Sequence, residues 1–101
     1  MKKTDIKNFI EELYLIIERR AKASSKKSYT KKLLKKGPKT IAQKFGEESA
    51  ELLIEYLSGS KKRTIEEAAD VFYHLIVLLY SKKISLIEIK KELERRKKNV
   101  R

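Results

Sequence analysis

The sequence lacks residue types on which whole classes of protein depend. Its 101 residues include no cysteine, which excludes disulfide bonds and thiolate metal sites. The single histidine, His74, excludes a histidine-rich zinc site. No apolar run approaches the roughly 20 residues that a membrane span needs, and the polar start at residues 1–5 is unlike a secretory signal. We therefore expect a soluble, cytoplasmic protein.

Acidic residues are in the minority, since 26 lysines and arginines face 14 aspartates and glutamates, for a net charge of +12. Such a charge favours anionic partners, for example a nucleic acid or a nucleotide with several phosphates. Surfaces rich in lysine and glutamate are also common in proteins from hot environments. Charge alone therefore does not identify the partner.

One proline and three glycines interrupt the chain, and its apolar spacing is helical almost throughout. A first helix is predicted over residues 4–22 by a stripe that recurs at three and four residues, made of Ile6, Phe9, Ile10, Leu13, Ile16 and Ile17. After a serine-rich loop, Ser28 is expected to cap a short turn over residues 29–34. A second long helix is predicted over residues 38–57, with the proline in its first turn.

Two further helices are predicted from capping-box patterns, in which a serine or threonine precedes a glutamate by three residues. Thr64 and Glu67 form the first box, and Ser85 and Glu88 form the second. The last helix is expected over residues 86–98. The first box offers a purely structural explanation for Glu67.

The segment 71–80 is apolar nearly all round. A helix that is apolar on every face is buried on every face. Because a domain of this size has few places for one, we infer a subunit interface there. The predicted fold is all-α, a single domain over residues 1–101 whose four to five helices form a bundle completed by dimerisation.

Two short helical segments gather the carboxylates of this basic chain. Glu47, Glu48 and Glu51 lie in the first, and Glu67 and Asp70 lie in the second. Residues three and four apart share a helix face, so carboxylates at this spacing repel one another. Mg²⁺ or Mn²⁺ would take them as oxygen ligands. The alternative is a solvated acidic face that balances nearby lysines.

In an antiparallel helix hairpin, Glu51 and Asp70 can face each other at similar depth. His74 lies one turn after Asp70, and either tunes such a site or, as we favour, is a buried residue with satisfied hydrogen bonds. Lys44 lies one turn before the first carboxylates, where it pairs with them or binds a phosphate. Other groups near helix starts that suit phosphate oxygens are Ser28, Tyr29, Thr30, Lys31, Lys32, Lys35, Lys36 and Lys39.

The pattern Glu47-Glu48-x-x-Glu51 with Glu67-x-x-Asp70 resembles the metal-binding signature of the MazG-like all-α nucleotide pyrophosphohydrolases. Within that superfamily, the chain is most similar to the phosphoribosyl-ATP pyrophosphohydrolase family over about residues 8–98. The segments that carry the similarity are Ser28-Tyr29-Thr30 with Leu33, Leu34 and Gly37, then Lys44 to Glu48, Glu67 to Leu75, and Leu93 to Arg96. Phe45 and Ser49 depart from the usual small apolar residues, but neither is a ligand type.

The resemblance implies hydrolysis of phosphoribosyl-ATP to phosphoribosyl-AMP and pyrophosphate, the second step of histidine biosynthesis. It also implies a Mg²⁺-dependent homodimer. A cyclohydrolase domain is often fused to this one, and because the sequence shows no such domain we expect the stand-alone form. The implied metal ligands are Glu47, Glu48, Glu51 and Asp70. Glu67 would be a further ligand or would orient the attacking water. The implied substrate-binding residues are Ser28, Tyr29, Thr30, Lys36 and Lys44.

Two other functions compete with this one. A house-cleaning nucleoside triphosphate pyrophosphatase would share the metal site, although the Ser28-Tyr29-Thr30 segment argues against it. A basic helical nucleic-acid-binding protein would explain the charge. Carboxylates in the densest motif argue against that protein, because they would repel a phosphate backbone.

Overall fold

The computed structural model describes residues 3–23 and 28–97. These residues form five helices and no strand, which confirms the all-α prediction. The helices are α1 (Lys3–Lys22), α2 (Tyr29–Lys36), α3 (Pro38–Ser58), α4 (Lys61–Ser81) and α5 (Leu86–Lys97). Part of the predicted serine-rich loop, residues 24–27, and the predicted end of the last helix at residue 98 lie outside the described residues.

The two longest helices, α3 and α4, pack against each other as a hairpin, and α1 and α2 cover one end of it. The buried core is made of Ile17, Leu33, Ile41, Ile76 and Val77, one or two from each of the first four helices. Ile41 lies near the start of α3 and Val77 near the end of α4. The core therefore lies away from the hairpin turn, and the other described helices leave the turn end uncovered.

The apolar segment 71–80 is largely buried within its own chain. Ile76 and Val77 are 2% and 0% exposed, so this segment does not by itself require a second subunit. The exposed apolar side chains of the hairpin lie mostly nearer its turn, and they are Leu53, Ile54, Tyr56, Leu57, Ile65 and Phe72. A subunit interface is therefore favoured at the turn end of the hairpin, where apolar side chains are exposed, and not at the buried end of α4.

The junction between α2 and α3 follows the predicted chemistry. The Ser28 hydroxyl accepts a hydrogen bond from the Lys31 amide at 3.3 Å, which confirms the predicted cap of α2. Gly37 ends that helix with its amide donating to the Leu34 carbonyl at 3.2 Å. Its φ of 96° and ψ of 177° place it in a region that only glycine adopts without strain. Pro38 then opens α3.

Two alanine substitutions are expected to change the free energy of unfolding in opposite directions. Gly37→Ala should destabilise the protein by about 1–3 kcal/mol, because alanine is strained at this positive φ. Gly46→Ala should stabilise it by about 1 kcal/mol, since Gly46 lies inside α3 and an added Cβ would meet nothing within 4 Å. Chemical denaturation at equal protein concentration measures both. Equal effects would contradict the backbone assigned to Gly37.

The start of α4 differs from the prediction, and the predicted cap at Thr64 is wrong. The helix begins four residues earlier, and the Ser60 hydroxyl caps it by accepting from the Arg63 amide at 3.1 Å. Thr64 lies inside the helix, where its hydroxyl donates to the Ser60 carbonyl at 2.9 Å and lies 3.2 Å from the Glu55 carbonyl of α3. Glu67 is therefore not a capping residue, and a capping role does not explain its presence.

The second capping box is confirmed at the start of α5. The Glu88 amide donates to the Ser85 hydroxyl at 3.3 Å, and the Ser85 amide donates to the Glu88 carboxylate at 3.3 Å. This helix has few contacts with the other described helices. The segment just before α5 is attached to α1, because the Tyr14 hydroxyl donates to the Ile84 carbonyl at 3.0 Å. None of the described helices is long and apolar enough to cross a membrane.

Candidate active site

The hairpin brings three carboxylates together, two of them on α4 and one on α3. One carboxylate oxygen from each of Glu48, Glu67 and Asp70 lies within 4.8 Å of the other two. The Glu48 and Glu67 side chains are 13% and 12% exposed, whereas Asp70 is open to solvent. Opposite ligands of Mg²⁺ lie about 4.2 Å apart. The separation of these oxygens therefore suits a small divalent cation.

Glu51 joins the same cluster from the next turn of α3. The pKa of Glu67 is raised by burial, then by a hydrogen-bonded contact with Glu51 and by the charges of Asp70 and Glu48. The pKa of Glu48 is raised by burial and then by the charge of Glu51. Carboxyl groups in such contact favour sharing a proton or a cation over ionising separately.

The buried oxygen Oε2 of Glu67 has no hydrogen-bond partner among the described residues. Its other oxygen lies 3.9 Å from the Arg63 guanidinium, which is too long for a direct hydrogen bond. A buried acceptor left unpaired costs roughly 1–3 kcal/mol, and more when it carries charge. A bound cation would satisfy this oxygen and relieve the repulsion, so the residues present fit a divalent metal.

The structure does not place Glu47 with the other carboxylates. Its side chain is 48% exposed, and its oxygens lie 3.1 Å from the Gln43 amide nitrogen and 3.5 Å from the Lys44 ammonium. The pKa of Glu47 is lowered, first by the hydrogen bond from Gln43 and also by Lys44, although desolvation opposes the shift. The side chains of neighbouring residues on a helix point about 100° apart, so those of Glu47 and Glu48 lie in different environments.

Lys44 lies between the acidic cluster and α2. Its ammonium is 3.5 Å from Glu47 and 3.9 Å from Glu48. The pKa of Lys44 is raised chiefly by the nearby phenol of Tyr29, with further contributions from the two carboxylates and an opposing one from desolvation. The side chain is 35% exposed, so it pairs with the carboxylates and still faces solvent.

The substrate-binding residues predicted in and just before α2 lie in different environments. Ser28 is the cap of the helix. Thr30 is only 1% exposed, and its hydroxyl hydrogen bonds the Tyr73 hydroxyl of α4, so it faces the core. Tyr29 is 49% exposed, and its hydroxyl lies 3.1 Å from His74 Nε2 of α4. Lys36 is exposed at the end of the helix.

His74 is a buried residue with satisfied hydrogen bonds, as favoured from the sequence. It is 6% exposed. Its Nδ1 lies 2.8 Å from the Asp70 backbone oxygen, and its Nε2 lies 3.1 Å from the Tyr29 hydroxyl. It therefore connects the Asp70 turn of α4 to the first residue of α2.

Sequence reasoning missed Arg63, which borders the cluster. Its guanidinium lies 3.6 Å from Glu55, 4.0 Å from Glu66 and 3.9 Å from Glu67, linking α3 to α4. The spacings to the last two residues, three and four, are a recognisable helical signal. They are visible only if Arg63 is already helical, whereas a start at Thr64 hides them.

The helical hairpin and its carboxylates define an all-α protein with a site suited to a divalent cation. The chain matches the family model described as phosphoribosyl-ATP pyrophosphohydrolase over residues 10–97. It is 46% identical to the phosphoribosyl-ATP pyrophosphatase of Cereibacter sphaeroides over 87 residues, which cover 86% of this chain and 84% of the relative. The enzyme of that name from Sulfolobus acidocaldarius is 45% identical over 91 residues, covering 90% and 96%. The chain belongs to the phosphoribosyl-ATP pyrophosphohydrolase family.

Proposed function

We propose that the protein hydrolyses phosphoribosyl-ATP to phosphoribosyl-AMP and pyrophosphate, a step of histidine biosynthesis carried out in the cytoplasm. Water attacks a phosphorus of the α–β anhydride, the bridging P–O bond breaks, and pyrophosphate leaves. The observation that carries the proposal is the convergence of Glu48, Glu67 and Asp70 on one point. Membership of the family and the names of the relatives support the substrate.

We propose Glu48, Glu51, Glu67 and Asp70 as the groups that hold Mg²⁺, with Mn²⁺ as a substitute. When bound, the ion supplies neutralising charge to the pyrophosphate that leaves. A carboxylate of the cluster accepts the proton of the attacking water. Partial burial of Glu48 and Glu67 lowers the local dielectric and strengthens each charge interaction there.

We propose that Lys44 binds a phosphate of the substrate next to the carboxylates. Glu47 holds the Lys44 ammonium in place, and its membership of the metal set is decided by the Glu47→Gln variant described below. Lys36 and the other α2 lysines attract the polyphosphate through their charge. Ser28 and Thr30 contribute by fixing the start of α2. Tyr29, whose hydroxyl is bonded to His74 one turn after Asp70, is proposed to contact the substrate.

Pyrophosphate release from phosphoribosyl-ATP, with and without Mg²⁺ and beside an ATP control, tests this function. Release from phosphoribosyl-ATP in the presence of Mg²⁺, with little from ATP, is the expected result. Release from ATP and other triphosphates instead would reassign the protein to house-cleaning pyrophosphatases. Absence of release from either substrate by folded protein with Mg²⁺ would overturn a hydrolytic role for the cluster.

We infer that the protein is a homodimer whose interface includes the uncovered turn end of the hairpin. Leu53 and Leu57 are 60% and 79% exposed there, beside four other large apolar side chains. Leu53→Glu is expected to halve the mass measured by light scattering to the 11.9 kDa of a single chain, because the charge would be buried without a partner. Leu93→Glu on α5, at the same 60% exposure, is the matched control and should leave the mass unchanged. The opposite pattern would place the interface on α5.

A further inference from the structure

The hydrogen bonds of His74 have a direction that follows from their chemistry. Its Nδ1 lies 2.8 Å from the Asp70 backbone oxygen, which can only accept, so Nδ1 carries the proton. In a neutral imidazole the other nitrogen is then an acceptor. In that neutral form of the ring, the Tyr29 hydroxyl, 3.1 Å from Nε2, donates its proton to His74.

This direction decides what Tyr29 offers to its open side. With its only proton directed to His74, the phenol oxygen presents lone pairs and no donor. An ionised phosphate oxygen, which is also only an acceptor, would be repelled there. A sugar hydroxyl or an amino group of a nucleotide could instead donate a hydrogen bond to this oxygen.

The next group along the site is a donor with no acceptor capacity. Lys44 carries three N–H groups, and its ammonium lies 3.9 Å from Glu48 of the carboxylate cluster. Tyr29 borders the same cluster through its bond to His74, which is attached to the Asp70 turn of α4. An acceptor from α2 and a cation from α3 therefore border one site, where they distinguish the neutral donor groups of a nucleotide from its phosphates.

We propose that His74 is a positioning residue that holds the Tyr29 hydroxyl as an obligate acceptor, so that Tyr29 binds a hydroxyl or amino group of the substrate while Lys44 binds phosphate. The proposal rests on the proposed function for the identity of the substrate. The burial of His74, at 6% exposure, and its attachment to the backbone of α4 make it a rigid support. Tyr29, half exposed at the start of α2, is held at its hydroxyl by this hydrogen bond.

Nitrogen NMR tests the direction of the hydrogen bonds without any substrate. Because His74 is the only histidine in the sequence, its ring signals need no assignment. In mildly alkaline solution we expect a protonated Nδ1 and an unprotonated, hydrogen-bonded Nε2. Tyr29→Phe should shift the Nε2 resonance and leave Nδ1 protonated. A proton on Nε2, or no response to Tyr29→Phe, would overturn the proposal.

Kinetics test the consequence for substrate binding. Tyr29→Phe is expected to raise KM by about tenfold, the value of one good hydrogen bond, with kcat within about threefold. His74→Phe should have the same effect, and the double variant should be no worse than either single one. His74→Gln, which retains an acceptor, should recover part of the loss. Multiplying effects in the double variant would mean that His74 acts independently of Tyr29.

Tyr73→Phe is the matched control on the same contact between α2 and α4. It removes a hydroxyl bonded to buried Thr30, so it should lower Tm while leaving KM unchanged. If Tyr73→Phe raised KM as much as Tyr29→Phe, the effect would be loosening of α2 and the positioning role would be refuted. If the wild-type protein released no pyrophosphate from phosphoribosyl-ATP, the proposed function and the substrate contact of Tyr29 would fail together, whereas the NMR result judges the His74–Tyr29 pair separately.

Discussion

Glu67→Gln is expected to reduce Mg²⁺-dependent pyrophosphate release by at least about a hundredfold. Loss of a group that only supports a metal ligand costs 10–100-fold in affinity or activity, so loss of a ligand should cost at least as much. Glutamine keeps the size of the side chain and removes its charge. Initial rates at saturating Mg²⁺, with circular dichroism to verify folding, provide the measurement.

The adjacent residue provides a matched control. Glu66 is one position away on α4, is 50% exposed, and lies 4.0 Å from Arg63 outside the cluster. Glu66→Gln should keep activity within about twofold, as expected for a surface charge. Full activity of Glu67→Gln would remove Glu67 from the site, and a comparable loss in Glu66→Gln would point to a general charge effect.

The same comparison on α3 separates Glu48 from Glu47. Glu48→Gln should match the loss seen for Glu67→Gln, as should Glu51→Gln and Asp70→Asn. Glu47→Gln should cost less and act mainly on KM, because its oxygen holds Lys44 and lies apart from the other carboxylates. A loss as large as that of Glu48→Gln, accompanied by weaker Mg²⁺ affinity, would add Glu47 to the metal ligands.

Removal of divalent cations is expected to abolish turnover and also to make stability depend on pH. The folded-state pKa values of Glu48 and Glu67 are raised above the ordinary 4.5. The folded metal-free state therefore holds its protons more tightly than the unfolded state does. Its extra stability is present below pH 4.5 and is lost as the pH rises through the raised pKa values. Mg²⁺ should restore stability at neutral pH, since it binds the ionised cluster.

Chemical denaturation across this pH range, with EDTA or with Mg²⁺, measures the effect. Glu67→Gln should flatten the pH dependence of the metal-free protein and remove most of the stabilisation by Mg²⁺. Glu92→Gln is a control of opposite sign, because Arg95 and Arg96 lower the pKa of Glu92. The interaction of the Glu92 carboxylate with these arginines stabilises the protein above pH 4.5, and this stabilisation is lost as the pH falls through the lowered pKa. A Mg²⁺ effect that is independent of Glu67 would contradict the proposed metal site.

Most helix boundaries could be predicted from the sequence, because apolar periodicity and caps are local signals. The start of α4 could not. Thr64 and Glu67 match a capping box, and nothing in the local pattern prefers Ser60. The observed start comes with tertiary contacts that the local pattern does not contain: Arg63 pairs with Glu55 across the hairpin, and the Thr64 hydroxyl contacts the Glu55 carbonyl.

In the candidate site, too, local spacing could be predicted from the sequence, whereas tertiary packing could not. Helical spacing could place Glu48 with Glu51, and Glu67 with Asp70, on shared faces. It could not decide which of the adjacent Glu47 and Glu48 points toward α4, because that depends on how the two helices pack. Nor could it show that Thr30 is buried, since its surroundings come from a helix more than forty residues away.

The sparse packing of α5 has a consequence for how the protein opens. An isolated helix of 12 residues is marginal in water, and this one depends largely on its own capping box and on the pairing of Glu92 with Arg95 and Arg96. Local unfolding therefore requires far less free energy here than in α3 or α4. Amide hydrogen exchange would distinguish α5 as a separate cooperative unit, one whose opening leaves the carboxylate hairpin closed.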